Sequence, residues 1–119
     1  MHATASKGYL IRSLNEAPTV ECVCGRSTRP LTWSDTPFCN CHVTFITDSV
    51  RHYHKECTEV YLILEGIGQM ELNGDRVKVG PGTVVYIEPY TRHRLRSEKG
   101  VRTVVFGVPA WRPEDEYFD

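Results

Sequence analysis

The stretch that decides the fold is residues 52–66, HYHKECTEVYLILEG, in which a histidine pair leads into an apolar, β-branched run. Successive side chains of a strand alternate between its faces at ~3.3 Å per residue, so His52 and His54 are expected to point the same way. Glu59 opens the apolar run, and a turn between the two segments would return its carboxylate to the histidine pair. His93 follows a stretch rich in Gly and Pro and would add a fourth ligand. The pattern therefore predicts a metal site on His52, His54, Glu59 and His93.

Three imidazoles and one carboxylate form a mixed nitrogen and oxygen ligand set. This set favours one divalent transition metal, among Fe, Mn, Ni, Zn, Co and Cu, over Ca or Mg, and it does not choose among the six. Tyr61 lies two residues after Glu59 and should share its face. Its phenol would orient Glu59, donate to a bound oxygen or act as a weak acid, or it would be an ordinary hydrogen-bonded core tyrosine. Glu59 and Tyr61 are thus the candidate catalytic residues.

Short branched or aromatic runs, separated by turn residues, predict an all-β chain. The runs are residues 42–47, 60–64, 69–72, 76–79, 83–87 and 101–108. Asn73-Gly74 predicts a hairpin because both residues tolerate positive φ, and Gly80-Pro81-Gly82 predicts the next turn. Antiparallel strands of this length close into a sandwich or barrel, and a double-stranded β-helix of about eight strands fits the pattern.

Two spacings carry a family resemblance: His-x-His-x4-Glu-x6-Gly from His52 to Gly66, and Gly-x10-His from Gly82 to His93. Together they resemble the two-part motif of the cupin superfamily over most of the chain. The second part departs from the usual pattern at Glu88-Pro89-Tyr90, where Pro-Pro-Gly is common. The resemblance implies a small single-domain cupin with a jelly-roll-like barrel, metal ligands at the same four residues, and a homodimer.

The length and charge of the chain narrow the possible partners. A chain of 119 residues has room for one domain, with a core barrel at about 20–109 and an acidic tail at 110–119. A net charge of -1 gives no field that would recruit nucleic acid or an anionic membrane. No apolar run approaches the ~20 residues of a membrane span, and the N-terminus is polar, unlike a signal peptide. We therefore expect a cytoplasmic protein with a small-molecule ligand.

One local cluster of basic residues qualifies this charge argument. Arg92, Arg94 and Arg96 alternate along one strand face, close to the motif that contains Arg51 and Lys55. They form either a basic patch or, as we favour, an ordinary solvated outer face.

The five cysteines allow two interpretations. Cys22 and Cys24, and Cys39 and Cys41, form two Cys-x-Cys pairs separated by fourteen residues. They could form a structural four-thiolate zinc site, although such sites more often have two to four residues between ligands. We favour free, buried thiols, and the odd count argues against a disulfide framework. Cys57 lies between the proposed metal ligands and is expected to be exposed and redox-sensitive.

The predicted site allows two classes of function. The first is a small metalloenzyme, because four protein ligands leave open positions on an ion that prefers five or six. It would be a dioxygenase that chelates an enolate, catechol-like or thiol substrate, or an isomerase or lyase in which Glu59 or Tyr61 moves a proton. The second is a non-catalytic module that binds or senses a sugar or organic acid. The fold does not decide between them.

Two further segments are expected near the barrel mouth. Arg26 and Arg29 follow the Cys24-Gly25 turn and are candidates for contacting an anionic substrate. The acidic, aromatic tail is expected either to fray or to dock Trp111 and Phe118 on the barrel or a partner.

Overall fold

Eight antiparallel strands form one rolled sheet, which confirms the all-β barrel prediction. The structure is a computed structural model that describes residues 8–119. The strands are β1 (Thr19–Glu21), β2 (Arg26–Leu31), β3 (Asn40–Asp48), β4 (Thr58–Glu65), β5 (Gly68–Leu72), β6 (Asp75–Val79), β7 (Val84–Ile87) and β8 (His93–Val108). A 3-10 helix spans Leu14–Glu16, and no helix within the described range is long and apolar enough to cross a membrane. Residues 1–7, which contribute to the signal-peptide argument, lie outside that range.

The long strand β8 organises the barrel. Its second half pairs with β3 on one side and β4 on the other, while its first half pairs with β5. Ile46 pairs with Val101 but Asp48 pairs with Arg96, so residues 97–100 bulge out of the ladder. Gly100 permits this bulge because its φ is +102° and a Cβ there would collide with the ring of Phe45. The single strand β8 therefore pairs with β3 and β4 through its second half and with β5 through its first half.

The interior of the barrel has an apolar end and a polar end. Alternation turns every second residue of β3, β4 and β8 inward, as expected for half-buried strands. The apolar end holds a cluster of buried side chains: Ile46, Ile63, Met70, Val79, Leu95 and Val101. At the other end of the same strands the inward residues include Asn40, His42 and Glu59, all buried. The candidate site lies at this polar end.

The predicted strands agree with β3 to β7 to within two residues at each end. The Asn73-Gly74 hairpin is confirmed: both residues have positive φ, 50° and 92°, and Leu72 pairs with Asp75. Two strands were missed, β1 and β2, since β2 is rich in Arg, Ser and Pro and lacks the usual strand composition. β8 was predicted to begin at 101 and begins at His93.

The four-thiolate zinc site is wrong. Strand register pairs Arg26 with Phe45 and Leu31 with Cys41, so the two Cys-x-Cys pairs flank opposite ends of β2. All five cysteines are free thiols, as the favoured interpretation expects, but only Cys57 is buried and the other four are partly exposed.

The prediction that Cys57 is exposed and redox-sensitive is also wrong. Cys57 is only 2% exposed to solvent. Burial, followed by the nearby charge of Glu59, raises the pKa of this thiol to about 12. The Cys57 thiol therefore stays protonated at neutral pH. It is unreactive toward oxidants and electrophiles because it forms little thiolate and solvent does not reach it.

The basic residues form ion pairs on a solvated face, as the favoured interpretation expected. Arg94 and Arg96 approach Asp48 at 2.9 and 3.6 Å, and Arg92 contacts Asp119 at 2.8 Å. Their acidic partners, Asp48 and Asp119, belong to the same chain and neutralise part of the positive charge of this face.

The C-terminal tail docks on the barrel. Trp111 is buried at 9% exposure, whereas Phe118 remains 51% exposed. Backbone hydrogen bonds join Tyr117 to Tyr53 in both directions, at 2.9 and 3.0 Å. The tail thereby reaches the segment that contains the histidine pair.

Candidate metal centre

The structure brings the four predicted ligands together at the polar end of the barrel. All four side chains are buried, and one ligand atom from each lies within 4.8 Å of the others. Oε1 of Glu59 is 3.2 Å from Nε2 of His54 and 3.3 Å from Nε2 of His93. The ring centroids of His52 and His93 are 4.4 Å apart.

The histidine pair lies in an extended segment and not in a regular strand. His52 exchanges backbone hydrogen bonds with His93, at 3.2 and 2.9 Å, and the Tyr90 amide donates to the His54 carbonyl at 2.7 Å. These isolated bridges are enough to hold the backbone extended, so both imidazoles point inward. Tyr53 between them stacks on Tyr117, with ring centroids 5.5 Å apart.

Backbone carbonyls fix the tautomer of all three imidazoles. The Nδ1–H groups of His52, His54 and His93 donate to the carbonyls of Val50, Asp115 and Thr91, at 2.6, 2.7 and 2.9 Å. A carbonyl can only accept, so in the neutral ring the proton sits on Nδ1 and the Nε2 lone pair faces the interior. Metal-ligating histidines are commonly oriented by this kind of hydrogen bond.

Asp115 supports the site from the tail. Besides its carbonyl contact with His54, its carboxylate accepts hydrogen bonds from the amides of Lys55, Glu56 and Cys57, at 2.8 to 3.2 Å. These amides form the turn that returns Glu59 to the histidine pair. Asp115 therefore stabilises both halves of the ligand set, although it lies about sixty residues away along the chain.

The imidazoles and the carboxylate of the cluster shift one another's pKa values. Burial works to raise the pKa of Glu59, but the close imidazoles of His54 and His93 outweigh it and hold that pKa well below its usual range. Burial likewise opposes protonation of His54, yet Glu59 raises the pKa of His54 to about 9. Burial, and then the neighbouring His93, lower the pKa of His52 to about 4. A bound cation would replace the proton on His54.

The residues present fit a divalent transition metal. Nε2 of His54, Nε2 of His93 and Oε1 of Glu59 are buried without a hydrogen-bond partner, because their mutual contacts satisfy ion-pair distance but not hydrogen-bond direction. Two atoms bonded to one ion at ~2.1 Å lie at most ~4.2 Å apart, so the cluster needs to contract by only about half an ångström. The imidazole and carboxylate donors suit the metals predicted from the sequence.

The cluster opens into a small pocket of about 20 Å³, room for about one water molecule. Tyr61 lines it as predicted and meets His93 edge to face, with ring centroids 6.3 Å apart. Burial and then Glu59 raise the pKa of Tyr61, so its phenol remains neutral and can donate a hydrogen bond. Arg29 also reaches the pocket, whereas Arg26 points to solvent and pairs with Glu21 at 3.1 Å.

The pocket has further lining residues that the sequence did not reveal: Cys24, His42, Thr44, Val105, Trp111 and Glu116. A larger cleft of about 300 Å³ lies behind the tail, between Trp33, Pro37 and Pro109, and its lining includes none of the four ligands. Chemistry at the histidine cluster must therefore use the smaller pocket.

A family model described as a cupin domain matches residues 43–108, which include all four converging ligands. The chain belongs to the cupin family. A solved structure of a protein from Planctomyces limnophilus is 28% identical, with a TM-score of 0.87 over 96% of this chain and 100% of the other. Pac13 of Streptomyces, described as a nucleoside dehydratase, is 18% identical, with a TM-score of 0.78 over 92% of this chain and 89% of Pac13. At that identity Pac13 shares the cupin fold.

One curated relative extends the comparison to an archaeon. An uncharacterized protein of Methanocaldococcus jannaschii is 39% identical over 66 residues, or 54% of this chain and 53% of that protein. The cupin described here thus aligns with about half the length of its curated relative.

Proposed function

We propose that this cupin binds one divalent transition metal through His52, His54, Glu59 and His93 and uses it as a small metalloenzyme. The observation that carries the proposal is a set of three imidazoles held by backbone carbonyls, in which Nε2 of His54, Nε2 of His93 and Oε1 of Glu59 are buried close together without a hydrogen bond. Four protein ligands leave one or two positions open on a five- or six-coordinate ion, as catalytic sites require. When bound, the metal would act as a Lewis acid or bind O₂ beside a chelated substrate.

The substrate class is a small oxygenated organic molecule, turned over by dioxygenase or by isomerase or lyase chemistry. Tyr61 supports the second group of reactions, because a buried neutral phenol can donate a hydrogen bond to an oxygen that gains negative charge. Pac13, a nucleoside dehydratase with this fold, was solved with uridine, so dehydration of a hydroxylated substrate belongs in the first screen. Oxygen uptake during turnover would assign the dioxygenase type, and turnover without it the isomerase or lyase type.

Elemental analysis of the purified protein tests the metal assignment. We expect about one equivalent of a transition metal in the wild type and a loss of most of it in His54→Ala, since one of four ligands is removed. His42→Ala is the matched control, because His42 is equally buried in the same pocket but is not among the four ligands. Both variants should remain folded by circular dichroism. Full metal content in His54→Ala would contradict the assignment.

The alternative function is a non-catalytic module that uses the metal to hold a sugar or organic acid. A pocket of about 20 Å³ leaves little room for a reacting substrate beside the metal, and a ligand of either kind would have to displace the side chain of Glu116. A binding module should show a ligand-dependent rise in melting temperature with neither turnover nor oxygen uptake.

We further propose that the protein forms a homodimer through the outer face of the barrel. Tyr86, Val84 and Phe106 are 63%, 61% and 40% exposed, and the register sets Tyr86 and Phe106 on either side of Val60. A continuous apolar sheet face of this kind commonly marks an interface, and a two-fold dimer covers the same face on both subunits. Light scattering after size exclusion should show a dimer for the wild type and a monomer for Phe106→Glu with unchanged metal content. A wild-type monomer at micromolar concentration would contradict the dimer.

A further inference from the structure

A second group of polar side chains lines the same pocket beside the metal ligands. His42 and Trp111 are 6% and 9% exposed, and both line the pocket. Nε2 of His42 and Nε1 of Trp111 have no hydrogen-bond partner within residues 8–119. A buried polar atom left without a partner lowers stability, so such atoms are rare unless a ligand or water completes them. Two in one pocket indicate that something else binds there.

Arg29 adds a positive charge beside His42 and Trp111, and these three residues are called the second wall of the pocket. Its guanidinium lies over the ring of Trp111, 4.9 Å from the ring centroid, and its Nε donates to Ser27 Oγ at 3.1 Å. Ser27 in turn accepts from Thr44 at 3.2 Å. Across the described part of the chain no carboxylate lies within ion-pair distance of Arg29, although Arg26, on the same strand, pairs with Glu21. The two terminal nitrogens of Arg29 are therefore available to a ligand.

The wall is held in place by contacts outside the pocket. The Trp111 amide donates to Oδ1 of buried Asn40 at 2.7 Å, and His42 meets Trp111 edge to face at 6.1 Å between centroids. Asn40 fits there because Gly107 opposite has no Cβ, which would collide with its Oδ1. Fixed donors and a fixed charge form a preorganised binding surface.

One acidic residue shares this wall. Glu116 lines the pocket, where burial raises the pKa of its carboxyl group while the nearby His54 and Arg29 lower it. Within residues 8–119 it forms no ion pair with Arg29, so it does not occupy the terminal nitrogens of that guanidinium.

We propose that Arg29, His42 and Trp111 form a carboxylate subsite and that the substrate is a short organic acid. This inference rests on the proposed function: the metal takes an oxygen at one end of the molecule, and Arg29 takes the carboxylate at the other. A planar guanidinium matches a carboxylate with two parallel hydrogen bonds, and the indole N–H adds a third donor. The carboxylate held by Arg29 is therefore separate from the oxygens that bind the metal, as in a short hydroxy acid with a second carboxylate. The pocket of about 20 Å³ holds about one water molecule, so such an acid enters by displacing the half-buried side chain of Glu116.

Calorimetric titration of the metal-loaded protein with malate and with 2-hydroxybutyrate tests the subsite. The two acids share a hydroxy-acid end that can bind the metal, but only malate carries a second carboxylate. We expect the wild type to bind malate ~10- to 100-fold more tightly, the range for a hydrogen-bonded charged group. Arg29→Gln should remove this preference, and Trp111→Phe, which lacks the indole N–H, should reduce it.

Arg26→Gln is the matched control, since it removes an exposed arginine of the same strand, and it should keep the preference. If Arg29→Gln fails to fold, Arg29→Lys replaces it and should lower the preference through loss of the paired geometry. Equal binding of the two acids by the wild type, or a preference that survives the loss of the Arg29 guanidinium, would overturn the subsite.

Metal content, measured on each sample, separates this failure from failure of the proposed function. If the protein holds its metal but its preference for malate does not depend on Arg29, the subsite alone is contradicted. A protein that takes up no metal contradicts the metalloenzyme, and the subsite is then decided by whether Arg29→Gln weakens malate binding to the metal-free protein.

Discussion

Metal binding should expel one proton from the pair formed by His54 and Glu59. In the metal-free cluster Glu59 raises the pKa of His54 to about 9, so at pH 7 roughly 99% of this imidazole is protonated. A metal can bind only the deprotonated Nε2. His52, with its pKa lowered to about 4, has no proton to release at this pH. Because the pKa of His54 is raised, the proton competes with the metal at every pH below about 9. The apparent affinity for the metal should therefore rise about tenfold per pH unit up to pH ~9 and then level off.

Calorimetry in two buffers of different ionisation enthalpy measures the released proton directly. We expect about one proton per metal at pH 7 and about half a proton at pH 9, since the pKa of His54 lies there. Glu59→Gln removes the partner that raises this pKa, and burial then lowers it below its usual value. The number of protons released per metal bound at pH 7 should therefore fall toward zero, measured at a metal concentration that saturates the weakened site. His42→Ala should release as many protons as the wild type, because burial already lowers the pKa of His42 to about 4. Release near zero in the wild type, or undiminished release in Glu59→Gln, would refute the reasoning.

Two further predictions concern the surroundings of the site. Cys22 should react with iodoacetamide at pH 7 long before Cys57 does. A hydrogen bond from Cys24 lowers the pKa of Cys22 to about 6, while burial raises the pKa of Cys57 to about 12. Peptide mass spectrometry after brief labelling measures the difference, and equal modification of the two cysteines would contradict it. Asp115→Asn should lower the melting temperature by several degrees, because a carboxylate that accepts from three turn amides contributes about 1–3 kcal/mol. Asp119→Asn is its control, since exposed ion pairs contribute little, and equal melting shifts would contradict the role of Asp115.

The sequence could predict that these four side chains converge because their geometry is mostly local. His52, His54 and Glu59 lie within eight residues, and the alternation of an extended chain is enough to set their direction. Tyr61 follows from the same alternation. His93 is more distant, but its backbone pairs with His52, so one bridge completes the set. These positions depend little on how the rest of the barrel closes.

The sequence places Arg29 near the barrel mouth and allows Trp111 to dock on the barrel, but it could not predict that both meet His42. That meeting depends on the register of three strands and on the path of the tail. His42 pairs with Val105, and Val105 pairs with Tyr61 on its other side, so β8 alone brings His42 level with the site. Trp111 and Arg29 come from the tail and from β2, which has the composition of a loop. Their contacts span about seventy to eighty residues and leave no periodic pattern in the sequence.

The distribution of unsatisfied polar atoms links the two walls to a single function. Six buried side-chain atoms of the described residues lack a hydrogen-bond partner, and all belong to the polar end: those of Asn40, His42, His54, Glu59, His93 and Trp111. A buried polar atom left without a partner costs about 1–3 kcal/mol. The ion-pair contacts of Glu59 with His54 and His93 offset part of this cost, whereas the apolar end buries its side chains without any such atom. A fold that only needed stability would have no reason to concentrate this cost at one end of its barrel. A metal on one wall and a carboxylate on the other would together satisfy most of these atoms. Binding of the metal should therefore raise the stability of the protein and its affinity for the organic acid, and binding of the acid should do the same for the metal.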